Sequence, residues 1–217
     1  MNSNLKSVIA EFFGTAALVC VVVGSGIMGT NLSQDAGVAL LINTVSTIFA
    51  LALLIFVLGP ISGAHFNPAV SLAGLIRKEM SVSKFVWYTF AQVTGAIAGA
   101  VIANLMFDSA AISISTHQRV TAGTLIGEVL ATAGLIIVIY TFIVREKQNL
   151  IPIAVAAWIG SAYFFTSSTS FANPAVTVGR IFSDSFAGIT PESVLPFIAA
   201  QIVGMALGLV VVSALKR

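Results

Sequence analysis

The sequence predicts an all-α membrane protein: six transmembrane helices plus two re-entrant half-helices, arranged as an inverted repeat. Three observations lead there. The 217 residues are 58% hydrophobic and 8% charged, and their mean hydropathy is +1.03, too apolar for a chain that folds in water. Six apolar runs are long enough to cross a hydrocarbon core of about 30 Å, which takes roughly 20 residues of helix. Finally, Asn67-Pro68-Ala69 and Asn173-Pro174-Ala175 each follow a Gly/Ser/Thr-rich stretch and lead into a short apolar run.

The runs fall at 7–29, 37–58, 82–105, 121–144, 151–166 and 193–214. Lys6 precedes the first, but that run continues too far for a cleaved signal peptide and reads as a span. Residues 67–76 and 174–183 are left over. In each, proline at the first helical position loses no hydrogen bond, because its missing N–H was unpaired there anyway. Asparagine before it is a good N-cap. At 1.5 Å per residue such a helix is about 15 Å long, so two end to end cover the core. A helix start inside lipid exposes unpaired N–H groups and a partial positive charge, tolerated only where it lines a cavity or is buried in protein. Two half-helices meeting at the midplane satisfy that condition.

The first half of the chain is echoed in the second. Ala10-Glu11-Phe12-Phe13-Gly14-Thr15 is matched by Gly127-Glu128-Val129-Leu130-Ala131-Thr132, and Ala91-Gln92-Val93-Thr94-Gly95 by Ala200-Gln201-Ile202-Val203-Gly204. The order Glu, Asn-Pro-Ala, Gln thus occurs twice, dividing the chain into repeats at about 7–105 and 121–214. Three spans per repeat is an odd number, so the halves enter from opposite sides and any site lies between them at the midplane. Lys6, Arg77, Lys78, Lys84, Arg145, Lys147, Lys216 and Arg217 share one side, with Arg119 and Arg180 opposite. The excess predicts that both termini are cytoplasmic. Gly95-x-x-x-Gly99 and Gly204-x-x-x-Gly208 fit close helix packing, within the subunit rather than between subunits.

With two Asn-Pro-Ala boxes, Ser62-Gly63-Ala64-His65 before the first, and the paired Glu and Gln residues, the chain resembles the aquaporin/aquaglyceroporin (major intrinsic protein) family over about 7–214. The resemblance implies one channel domain over 1–217, a homotetramer with a pore in each subunit, no catalysis and no cofactor. It implies that Asn67 and Asn173 cap their half-helices and offer side-chain N–H groups to a passing solute; capping alone is the plainer role. Glu11 and Glu128 become acceptors for loop N–H groups, with proton coupling as the alternative use of intramembrane carboxylates. Gln92 and Gln201 read as interhelical hydrogen-bonding groups. His65 stands ready to line the pore or to make a structural bond.

By distance from the boxes, the family's constriction positions fall on Thr47, Ser161, Ser170 and Val176. The family usually carries arginine where this chain has Val176, and valine there resembles a bacterial subgroup associated with arsenic handling. Three hydroxyls, one apolar wall and no guanidinium imply a wide, weakly charged ring. Arg180, four residues on, falls on the same face one turn further out. It either lines the pore or pairs with an acid such as Asp184. The expectation is a passive channel for small uncharged solutes: water, glycerol, urea or neutral metalloid species such as arsenous acid. A water-selective aquaporin is the neighbouring alternative, and an ion-coupled secondary carrier using Glu11 or Glu128 the distant one.

Other classes fare worse. A net charge of +2 is too small to imply nucleic acid. Cys20, the single cysteine, excludes an intrachain disulfide or a multi-cysteine metal site and reads as a small apolar filler. No nucleophile–base pair is evident, so an enzyme is not expected. The lipid bilayer and small neutral solutes are the partners. Short loops and termini fit a bacterial plasma membrane.

Overall fold

The computed structural model describes residues 3–215. The chain forms α1 (Ser3–Leu32), α2 (Ala36–Ser62), α3 (Pro68–Ile76), α4 (Val82–Met106), α5 (Ala122–Val144), α6 (Ile151–Phe165), α7 (Pro174–Gly179) and α8 (Pro191–Leu215). A 3₁₀ turn, Gln148–Leu150, leads into α6, and another, Arg180–Phe182, follows α7. Among the described residues six helices are long and apolar enough to cross a membrane. The predicted half-helix at 174–183 is shorter than expected: regular α-helix stops at Gly179 and the chain tightens into the 3₁₀ turn. Lys216 and Arg217, part of the basic excess behind the predicted orientation, lie outside the described residues.

Local chemistry explains where the helices begin. The Asp35 carboxylate accepts from Val38 N at 2.9 Å, and the Ser81 hydroxyl from Lys84 N at 3.2 Å. Thr121 and Thr124 form a reciprocal capping box, which satisfies two of the otherwise unpaired N–H groups at the start of α5. At the other end of α2, Gly63 takes φ +89°, which lets the chain turn sharply away from the membrane-spanning direction.

Packing follows the small residues. A Cβ on Gly95 or Gly99 would run into the backbone of Phe12 and Ala16, so α4 lies directly against α1. Gly204 and Gly208 bring α8 equally close to Val129 and Ala133 of α5. Asn43 of α2 donates to Val22 O at 2.7 Å, and Trp158 of α6 to Ala131 O at 2.8 Å. These bonds fasten α2 to α1 and α6 to α5, while the two short helices fill the space enclosed. The outer surface carries Phe49, Leu53, Phe90, Leu195 and Val210, all more than half exposed. Glu11, Gln92, Glu128 and Gln201 have no exposed surface. Apolar outside and polar at the centre is the distribution a lipid solvent demands.

Candidate functional site: a cavity between two Asn-Pro-Ala boxes

The two boxes meet. Asn67 Nδ2 donates to Ala172 O at 2.8 Å, and Asn173 Nδ2 donates to Phe66 O at 2.8 Å. Each asparagine also caps its own helix: Asn67 Oδ1 accepts from Ala69 N at 2.9 Å, and Asn173 Oδ1 from Ala175 N at 3.0 Å and Val176 N at 3.3 Å. An amide nitrogen has two protons, and each Nδ2 makes one bond here. The second proton is available, and both residues line the central cavity. Pro68, Ala69, Pro174 and Ala175 are buried behind them.

The loops that carry the boxes hold an unusual backbone. Ala64 (φ +49°) and Phe66 (φ +49°) precede Asn67, while Ser170 (φ +52°) and Ala172 (φ +47°) precede Asn173. A non-glycine residue in this region costs roughly 1–2 kcal/mol. The compensation comes from two buried carboxylates, on which successive N–H groups converge as an anion nest. Glu11 Oε1 accepts from His65 N at 2.9 Å and Ser62 Oγ at 2.7 Å; its Oε2 accepts from Phe66 N at 2.6 Å and Gln92 Nε2 at 2.8 Å. Glu128 accepts from Phe171 N at 2.9 Å, Ala172 N at 2.8 Å and Gln201 Nε2 at 2.6 Å. Each glutamine then reaches its half-helix, Gln92 to Ser71 Oγ at 3.0 Å and Gln201 to Thr177 Oγ1 at 2.9 Å. Neither carboxylate lines the cavity.

The cavity has a volume of about 160 Å³ and runs from Glu79 and Tyr140 at one end, past both asparagines, to Arg180 at the other. Its walls are largely apolar, with Leu18, Val22, Leu51, Leu135 and Ile159 among them. His65 is among the lining residues, and its Nδ1 lies 3.0 Å from Ser71 Oγ. Thr47, Ser170 and Val176 face the cavity as well, and the Ser170 hydroxyl is buried without a partner.

Ser161 does not join them. It is exposed, and its hydroxyl bonds back to Ala157 O at 2.9 Å. The cavity face of α6 is Ile151, Val155, Ile159 and Tyr163, an i, i+4 series that leaves Ser161 on the opposite side of the helix. Distance from the box along the chain says nothing of how α6 is rotated. The aromatic missed was Tyr163, whose hydroxyl lies 3.4 Å from Thr47 Oγ1; the four-residue periodicity was the signal for it.

Arg180 also departs from one expectation. It makes no ion pair with Asp184, since the one salt bridge among the described residues joins Arg77 and Glu79. Asp184 instead accepts from Thr116 N at 2.9 Å and Thr116 Oγ1 at 3.1 Å. Arg180 is 3% exposed, lines the cavity, and stacks its guanidinium 3.4 Å from the centre of the Phe171 ring.

Six spans around a narrow, apolar-walled cavity, with two helix N-termini and two amides at its midpoint, define a membrane channel. The family model described as major intrinsic protein matches residues 1–170. Aquaglyceroporin AqpS of Rhizobium meliloti (strain 1021) is 43% identical over 196 residues, 90% of this chain and 84% of that protein. Aquaporin-4 of Mus musculus is 28% identical over 204 residues, 92% of this chain and 59% of its own length. Among solved structures, the aquaglyceroporin from Plasmodium falciparum superposes with a TM-score of 0.75 at 18% identity, covering 99% of this chain and 96% of that one. This chain belongs to the major intrinsic protein family. It is a passive membrane channel for small uncharged solutes and not an enzyme.

Proposed function

We propose that the pore admits uncharged solutes larger than water, such as glycerol, urea and neutral metalloid hydroxides of the arsenous acid type. The observation that carries this is Val176, a short apolar side chain on the cavity wall directly after the second box. With Thr47, Ser170 and Tyr163 it forms a ring of three hydroxyls and one apolar wall that presents no charge to the solute. Polyols and metalloid hydroxides match such a ring, with hydroxyls on one side and bulk on the other. The name of the Rhizobium relative supports the glycerol class. Asn67 and Asn173 donate to the solute at the midpoint, where two positive helix ends turn its oxygen inward and oppose a relay of protons.

Tyr163 favours a second reading, a water-dedicated pore. It is an aromatic on the cavity wall where a small side chain was expected. Stopped-flow light scattering on proteoliposomes separates the two. Water flux together with glycerol, urea or arsenous acid flux supports the wider pore, whereas water flux alone overturns it. Val176→Arg should lower glycerol and urea flux by about tenfold, a rise in barrier of about 1.4 kcal/mol, while water flux falls far less.

The basic side, with Lys6, Arg77, Lys78, Lys84, Arg145 and Lys147, supports cytoplasmic termini in a bacterial plasma membrane. The resemblance to the family supports a homotetramer as the assembly. Native mass spectrometry from mild detergent, giving four times the chain mass or another multiple, tests it.

A further inference from the structure

We propose that Arg180, stacked on Phe171 and backed by Arg119, is the cation barrier of this channel, set one helical turn beyond the ring that sorts solutes by size. The inference rests on the channel assignment and adds a specificity-determining residue to it.

The geometry leaves Arg180 charged, fixed and facing the path. Its Nε donates to Ala187 O, in the segment just before α8, and its guanidinium carbon sits over the Phe171 ring. Neither Nη forms a hydrogen bond among the described residues, and neither is sealed from open space. Because the residue lines the cavity, these donors open into it.

Arg119 adds a second charge behind the first. It arrives from the 107–121 segment and is half-buried. Its Nε donates to Gly188 O at 2.6 Å and its Nη2 to Phe186 O at 2.8 Å. Its guanidinium carbon is 5.2 Å from the centre of the same Phe171 ring, within cation–π range. Both arginines are therefore anchored by neutral carbonyls and one aromatic face. Among the described residues no carboxylate forms a salt bridge with either. Two guanidinium charges beside a low-dielectric passage, offset in part by Glu128 but by no ion pair among the described residues, raise its potential against any cation.

Placing charge at Arg180 and size selection at the Val176 ring separates two tasks. The ring is free to widen for larger neutral molecules without opening the pore to sodium or protons.

The test measures cation leak and neutral-solute flux in the same proteoliposomes. Arg180→Gln should raise sodium leak by about tenfold or more, with glycerol and water flux within about twofold of wild type. Arg119→Gln should raise it less, and Arg180→Lys, which keeps the charge, should keep sodium out. Ser170→Asp provides a second route, since a carboxylate in the same cavity offsets the guanidinium without touching its anchors; it too should raise the leak. Solute-competent Arg180→Gln and Ser170→Asp channels with wild-type sodium leak would overturn the barrier. So would an Arg180→Gln channel that loses solute flux and gains no leak, because Arg180 would then be a solute-binding donor. A wild type that passes no neutral solute would sink the channel assignment itself, a different failure.

Discussion

Glu128 accepts three hydrogen bonds inside a membrane protein and touches no solute path. Its residue-level role is to hold Phe171 N and Ala172 N, so that Asn173 meets Phe66 O. Glu128→Ala leaves the Phe171 and Ala172 N–H groups without a partner, at about 1–3 kcal/mol each, while Gln201 Nε2 keeps Thr177 Oγ1, so the variant should lose at least about 2 kcal/mol of stability. Thermal unfolding in detergent would show this as a large drop in midpoint. A proton-coupled role predicts the reverse pattern, in which stability holds and sensitivity to a proton gradient is lost. Glutamate at these two places was readable from the sequence because the same short motif recurs. Tyr163 and Phe171 were not, since their importance comes from what stands across from them: Thr47 for one, two guanidinium groups for the other.

At the scale of elements, the 107–121 segment does more than join α4 to α5. Ser115 N donates to Ile181 O at 2.8 Å, and Thr190 N donates to His117 O at 3.0 Å. Asn104 of α4 adds a bond to Phe182 O at 2.8 Å. These bonds lay the segment along the turn after α7 and bring Arg119 to Phe171. Burial lowers the Arg119 guanidinium from its ordinary value to about 10. Arginine is a base, so it stays charged below that value and throughout the neutral range. His117, in the same segment, titrates lower than usual because of burial and the neighbouring Arg119 and Arg180, with Asp184 opposing. Acidification therefore adds a positive charge there and removes none. Cation exclusion should hold constant from pH 8 to pH 7 and tighten, if it changes at all, toward pH 5; sodium leak across that series checks it. An increase in leak on acidification would contradict the charge assignment. Nothing local in the 107–121 sequence signals these contacts, because the partners lie some 70 residues away along the chain.

For the whole molecule, a cavity with Glu11 and Glu128 tucked behind its wall describes a pore rather than a carrier. Glycerol flux should rise in proportion to concentration and be unaffected by an imposed proton gradient. Saturation at low millimolar glycerol, or counterflow, would instead indicate alternating access. The six spans were legible because lipid requires about 20 apolar residues for each crossing; the half-helices were legible because proline after a capping asparagine marks a helix start. Hydropathy and the duplicated Asn-Pro-Ala boxes are thus enough to dictate a polytopic helical channel, since they follow from the solvent and from local backbone chemistry. Which side chains meet the solute depends on the rotation of α6, the early end of α7 and the path of a distant loop. Those are outcomes of packing, where a residue's neighbours lie far from it along the chain, and so Ser161 gave way to Tyr163, and Arg180 found an aromatic ring in place of an acid.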